Sequence, residues 1–316
     1  MTAPRHWIAR GLAALLLASA PLLALAQPLL SPAELAVRLA DPQLRIIDIR
    51  PREGAAGYDG GHLPGALSAP YERWRGPDEN PGALPDSGQI SALVRSLGID
   101  ATTPVAVVYE GGDATEFGAA ARVYWTLKAV GLPQLSILNG GMKAWRGAGE
   151  PVTTQLRPVA PTTYAAQWDP RLIATQEEVA QAIGRQRLID ARPAPFFRGE
   201  TKHPAARAPG TLVGAKNVEH DVWFIRGSAT MQSSVELRRI AQQQGIGQAQ
   251  PTVSFCNTGH WAATNWFVLS EVLGQPDVKL YPESMVGWSR AERPMDHVPS
   301  RLQQFWMQLK EAAVSM

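Results

Sequence analysis

The chain has 316 residues, 30 Lys and Arg against 28 Asp and Glu, and a single cysteine, Cys256. A balance this even, with the charges scattered, argues against a nucleic-acid or membrane-surface role, since both need a basic patch. One cysteine excludes an internal disulfide, and about 290 residues beyond the leader suffice for two ordinary domains.

Residues 1–26 read as a secretory signal. Arg5 and Arg10 precede an apolar run from Gly11 to Leu25, and Ala24-Leu25-Ala26 is a small-x-small cleavage site. The run is short for a bilayer span and contains Pro21, so a cleaved leader is expected rather than a membrane anchor. The expected location is the periplasm, with no stable membrane insertion after cleavage. Without Arg5 and Arg10 the mature chain is formally neutral, and its lone thiol would sit in a compartment where structural cysteines come in pairs.

The mature chain then runs through one set of signals twice. Ser31 to Leu39 is a helix with a serine cap, and Ile46-Ile47-Asp48-Ile49-Arg50-Pro51 ends an apolar strand in an acid and a proline turn. Gly61-His62-Leu63-Pro64-Gly65-Ala66 is a glycine turn. Pro104 to Tyr109 is a second buried strand, Ala119 to Val130 a helix, and Leu135 to Trp145 a last strand and helix. After a stretch holding Pro158 and Pro161 the series returns. Thr175 to Ile183 is the capped helix, Leu188-Ile189-Asp190-Ala191-Arg192-Pro193 the strand and turn, and Gly210 to Ala215 the glycine turn. Pro251 to Phe255 is the buried strand, Ala262 to Leu273 the helix, and Val278 to Trp288 the final pair, with Met285 and Trp288 repeating Met142 and Trp145.

This repetition implies duplication. The expected architecture is α/β, two tandem domains of mostly parallel sheet flanked by helices. Their expected limits are 27–153 for the first domain, 154–167 for the linker and 168–316 for the second. The tail from Pro299 to Met316 has an amphipathic look around Leu302, Phe305, Trp306 and Leu309 and is expected to pack on the body.

Cys256 follows the strand Thr252-Val253-Ser254-Phe255 and opens Cys256-Asn257-Thr258-Gly259-His260-Trp261. In parallel α/β sheets, sites form where strands end and the chain turns into a helix. A tight loop there turns backbone N–H groups inward, and the helix N-terminus adds partial positive charge, so the loop suits a thiolate, a persulfide or an oxyanion. The six histidines show no metal-ligand spacing, Gly111-Gly112 and Gly140-Gly141 lack a nucleotide-binding fingerprint, and neither metal nor cofactor is expected.

The tandem halves, the Asp and Pro turns, the Gly-x-x-x-Gly-Ala segment and the Cys-x-x-Gly loop together resemble the two-domain rhodanese family over essentially all of the mature chain. The resemblance implies a thiosulfate sulfurtransferase. Cys256 would take sulfur from a small anionic donor such as thiosulfate, hold it as a persulfide, and pass it to cyanide, a thiol or a protein acceptor. It also implies that Arg198, in Phe196-Phe197-Arg198-Gly199-Glu200, binds the anionic donor. Asn257, Thr258, Gly259, His260 and Trp261 would form the cradle, chiefly through backbone N–H groups. His260 is weighed as a charge-tunable donor and Trp261 as a shield, against simple packing at the rim. Asp190 is expected to pin the strand-end turn, and Glu110 to occupy the place of the cysteine in a non-catalytic first domain.

Asn257-Thr258-Gly259-His260 has neither the basic residues common in thiosulfate enzymes nor the small residues common in mercaptopyruvate enzymes, so 3-mercaptopyruvate stays open as donor. A periplasmic carrier or binding protein that relays a persulfide between partners without turnover also stays open. A phosphatase of the Cys-x5-Arg type does not fit, because Ala262 stands where the arginine is needed.

Overall fold

A computed structural model describes residues 27–300 and Gln303. The expected leader and the tail positions Leu302, Phe305, Trp306 and Leu309 lie outside the described residues.

In the first half, β1 (Leu29–Leu30), β2 (Arg45–Asp48), β3 (Ala66–Ser68), β4 (Val105–Val108) and β5 (Leu135–Leu138) form one parallel sheet in the order β1-β5-β4-β2-β3. Every residue of β4 and β5 is buried, as a sheet covered on both faces requires. In the second half, β6 (Arg187–Asp190), β8 (Lys216–Asn217), β9 (Thr252–Phe255) and β10 (Val278–Leu280) pair in parallel in the order β10-β9-β6-β8. Between β6 and β8 runs β7 (Thr211–Leu212), which pairs antiparallel with β11 (Met295–Asp296). The α/β reading of two duplicated halves therefore holds.

Two helices start earlier than the apolar pattern indicates, each for a local reason. The first-half helix runs over Ala114–Ala129 because the Asp113 side chain accepts from the Glu116 N–H and caps it. Its second-half partner begins at His260 because Gly259, at φ 70, turns the chain straight into the helix. That helix covers His260–Trp266 and continues as a π-helix over Phe267–Val272.

These two helices pack on each other between the halves, and a single buried cluster runs through both domains. Phe117 sets its ring edge-on to Phe224 at 5.1 Å and to Phe267 at 5.6 Å. Around it, the Tyr124 hydroxyl donates to Glu271 at 2.7 Å, the Tyr109 hydroxyl donates to Ala229 O at 2.9 Å, and Asn139 Oδ1 accepts from the Met231 N–H at 2.8 Å. Residues 154–167 hold no helix or strand. They lie along the first domain, the Thr162 N–H donating to Arg95 O and the Ala166 N–H to the Ser91 hydroxyl.

Candidate active site

In each half one strand, β2 in the first and β6 in the second, ends in the same buried ion pair. In the second half Arg192 Nε donates to Asp190 at 2.9 Å and Nη2 at 2.6 Å, while Nη2 also reaches Gly210 O at 2.8 Å. Thr211 Oγ1 adds a 2.7 Å bond to the same carboxylate. Both charges are fully buried, so removing either would leave the other uncompensated, at a cost of about 3–5 kcal/mol. Asp190 is thus spent on the turn. The remaining arm of Arg192, Nη1, donates to Asn257 Oδ1 at 3.3 Å and ties the turn to the cysteine loop.

Cys256 stands at the carboxyl end of β9, 1% exposed. Its loop is held from behind by a residue that nothing in the sequence pattern singled out, Ser284. The Ser284 hydroxyl donates to Tyr281 O at 2.7 Å and accepts from the N–H groups of Cys256 at 3.0 Å and Gly259 at 3.2 Å. Gly259, one of the expected cradle donors, is therefore spent together with the Cys256 N–H on fixing the loop. The N–H groups of Asn257, Thr258, His260 and Trp261 have no protein acceptor among the described residues and are the ones left for an anion. Ser284 reaches this position only with its backbone at φ 51, in the left-handed region. Its counterpart one residue before Met142 is Gly141, at φ 59. A serine in a place built for glycine is the one signal that would have exposed it.

The register corrects the expected partner of the cysteine. Asp48 pairs with Val108 and Asp190 with Phe255, so the residue after each, Tyr109 and Cys256, match. The carbonyls agree, since Tyr109 O accepts from Met142 N at 2.8 Å as Cys256 O does from Met285 N at 3.0 Å. Tyr109, not Glu110, occupies the cysteine's place. Glu110 matches Asn257, and there it pairs with Arg50 at 3.0 Å and Arg146 at 2.9 Å. The two halves differ by one residue in the turn after this strand, which sequence spacing alone does not reveal.

The first domain does more than wall the site. Arg75 Nη2 and Arg122 Nη1 each donate to Thr258 O at 3.3 Å, and Arg122 Nη2 also reaches Gly82 O at 3.2 Å. Burial, and next the nearby Arg75 charge, pull the Arg122 guanidinium down to about 10. A side chain at Gly259 would collide with Arg122, so the glycine permits this approach as well as the turn.

His260 is locked between the halves. Nε2 donates to Thr115 O at 2.6 Å, which fixes the tautomer and leaves Nδ1 to accept from the Tyr71 hydroxyl at 3.0 Å; that hydroxyl accepts in turn from Arg75. Burial, reinforced by Arg75, drives its pKa to about 3. It is a neutral strut at working pH rather than a charge-tunable donor. Trp261 stacks on His220, centroids 4.8 Å apart, meets Phe196 edge-on at 5.9 Å and donates to the Thr115 hydroxyl at 3.3 Å.

Arg198 is not brought to the cysteine. It is 54% exposed and pairs with the equally exposed Glu200 at 2.6 Å, and no hydrogen bond or ion pair joins it to the loop among the described residues. The turn after Phe197 aims it outward. His62 is fully buried, stacked on Tyr58 and bonded to Tyr58 O at 3.0 Å.

The model of the rhodanese-like domain matches the chain twice, over residues 31–148 and 175–291. The chain belongs to the rhodanese family of sulfurtransferases. Among its rhodanese relatives is a protein named 3-mercaptopyruvate sulfurtransferase from Rattus norvegicus, 30% identical over 79% of this chain and 84% of its own. Another is the sulfur carrier protein TtuD from Thermus thermophilus, 30% identical over 79% of this chain and 89% of its own. Among solved structures, the 3-mercaptopyruvate sulfotransferase SseA of Escherichia coli superposes with a TM-score of 0.70 at 26% identity, covering 81% of this chain and 97% of that one.

Proposed function

We propose that this rhodanese is a sulfurtransferase that carries sulfane sulfur on Cys256. The observation that carries the reading is the thiol at the end of β9, inside a loop whose remaining N–H groups have no acceptor among the described residues and on whose Thr258 carbonyl two guanidinium groups converge. The Cys256 thiolate attacks the outer sulfur of the donor; with thiosulfate the S–S bond breaks and sulfite leaves with its electron pair. The persulfide, with the same single negative charge as the thiolate, stays in the cradle until a cyanide or thiol acceptor takes its outer sulfur. Positive charge from Arg75 and Arg122 favours a small anionic donor, so thiosulfate is the primary donor of this reading and 3-mercaptopyruvate the alternative. The leader-like start of the chain supports a periplasmic setting.

A persulfide relay without free donor turnover is the second reading, favoured by the relative named as a sulfur carrier. Cyanide assays with thiosulfate and with 3-mercaptopyruvate, run beside Cys256→Ser, separate the readings. Turnover lost in the variant supports the enzyme. No turnover in the wild type, with a gain of about 32 Da at Cys256 from a persulfidated protein partner, supports the relay.

A further inference from the structure

The seam between the halves holds two guanidinium groups that form no ion pair among the described residues. Arg50 and Arg192 are each chelated by an aspartate, but Arg75 and Arg122 have no carboxylate within 4 Å among the described residues. They face each other across the Thr258 carbonyl, an arrangement that repels itself until an anion arrives. Arg122 is fully buried, and its Nε has no hydrogen-bond partner among the described residues. Arg75 is partly exposed, at the rim.

Arg75 is also held rigidly. Nε donates to Pro81 O at 2.7 Å, Nη1 to the Tyr71 hydroxyl and Nη2 to Thr258 O, while its guanidinium lies 5.0 Å from the Tyr71 ring centroid. A guanidinium has five N–H donors, so one remains on each terminal nitrogen. A fixed fork of this kind matches a pair of sulfonate or carboxylate oxygens.

We infer that Arg75, from the first domain, anchors the oxyanion end of the sulfur donor, with Arg122 as the buried charge behind it, and that Arg198 does not. This rests on the sulfurtransferase reading and names the residue that selects its donor. Because Arg75 sits on the carbonyl two residues beyond Cys256, an anion on its fork lies at the loop that presents the thiol. Specificity for anionic donors then belongs to the domain without the nucleophile.

The test is steady-state kinetics of the full chain with thiosulfate and with 3-mercaptopyruvate, cyanide as acceptor, for wild type, Arg75→Gln, Arg75→Lys and Arg198→Gln. Arg75→Gln should raise the donor KM about tenfold or more with kcat within about threefold and the cyanide KM unchanged, and Arg75→Lys should recover part of the loss by keeping charge without the fork. Arg198→Gln should stay within about twofold of wild type. A rise for one donor only supports the inference and identifies which oxyanion is read. If Arg75→Gln lowers the melting temperature sharply, the donor KM of Arg75→Lys decides in its place. Unchanged donor KM in the Arg75 variants, or a rise that follows Arg198 instead, overturns the inference while leaving Cys256 in its role. A wild type that gains no mass of about 32 Da from either donor overturns the sulfurtransferase reading, and the inference with it.

Discussion

The two halves use the same strand-end hardware for opposite ends. In the first, Arg50 holds Asp48 and spends its spare arm on Glu110, Arg146 closes on the same carboxylate, and Tyr109 fills the strand end with a ring whose hydroxyl donates to Ala229 O in the other half. In the second, Arg192 holds Asp190 but meets only the neutral Asn257, and the strand end is a small thiol. The difference teaches how a duplicated turn becomes a site. The first copy neutralises and fills its loop; the second leaves it uncharged, with donors open, and imports its cations from the sibling domain.

The sharpest way to break this comparison is to remove the sulfur that the second half alone carries at its strand end. Cys256→Ser should bring sulfur transfer to the background of a cyanide assay while the melting temperature stays within a few degrees of wild type, because the volume at a buried site barely changes. Next comes Ser284→Gly, which gives the second half the residue the first has at Gly141. It relieves a left-handed serine but leaves the buried N–H groups of Cys256 and Gly259 without an acceptor, so urea unfolding should report a net loss of about 1–3 kcal/mol. Turnover should fall with it, since the loop loses its rear support.

A gentler conversion is Asn257→Asp, which puts a carboxylate opposite Arg192 as Glu110 is opposite Arg50. A negative charge beside the thiolate repels anionic donors, so kcat/KM with thiosulfate should fall by about tenfold with little change in stability, and addition of salt should narrow the gap. Equal rates for the variant and wild type at low salt would show that loop charge does not distinguish the halves.

The smallest expected effect concerns His260. The folded chain lowers its pKa to about 3 from the ordinary 6.5, so between those values the unfolded chain binds a proton that the folded chain refuses. Its contribution to stability is complete above about pH 6.5 and is lost as pH falls toward 3. Melting temperatures of wild type should therefore drop several degrees between pH 7.5 and pH 5, and His260→Asn should show a shallower drop. Parallel slopes would mean that the seam does not hold the imidazole neutral.

Much of this molecule was legible in its residues. Apolar runs closing in Asp48 and Asp190, and capping residues such as Ser31 and Thr175, mark strands and helices because they act over a few neighbours. The position of Cys256 at a strand end followed from the same local signals. What escaped is non-local or depends on a single residue of register. Arg75 and Arg122 meet Thr258 across 183 and 136 residues, a closeness that no periodicity encodes. Ser284 acts through a left-handed backbone that a serine does not advertise. Spacing points to Glu110 rather than Tyr109 because one residue of slack in a turn leaves no mark on it. Arg198 looked right in its string of neighbours, yet the turn after Phe197 points it to solvent and Glu200.

The core that runs unbroken between the halves also sets how the molecule comes apart. Phe117 is enclosed by rings of the opposite domain, and Tyr124 and Lys128 both close on Glu271. Neither half can shed these partners and keep its own interior dry. Unfolding is accordingly expected as one cooperative transition, with the charge-bearing sibling lost in the same step as the thiol it serves; two separated transitions in calorimetry would show that the halves come apart independently.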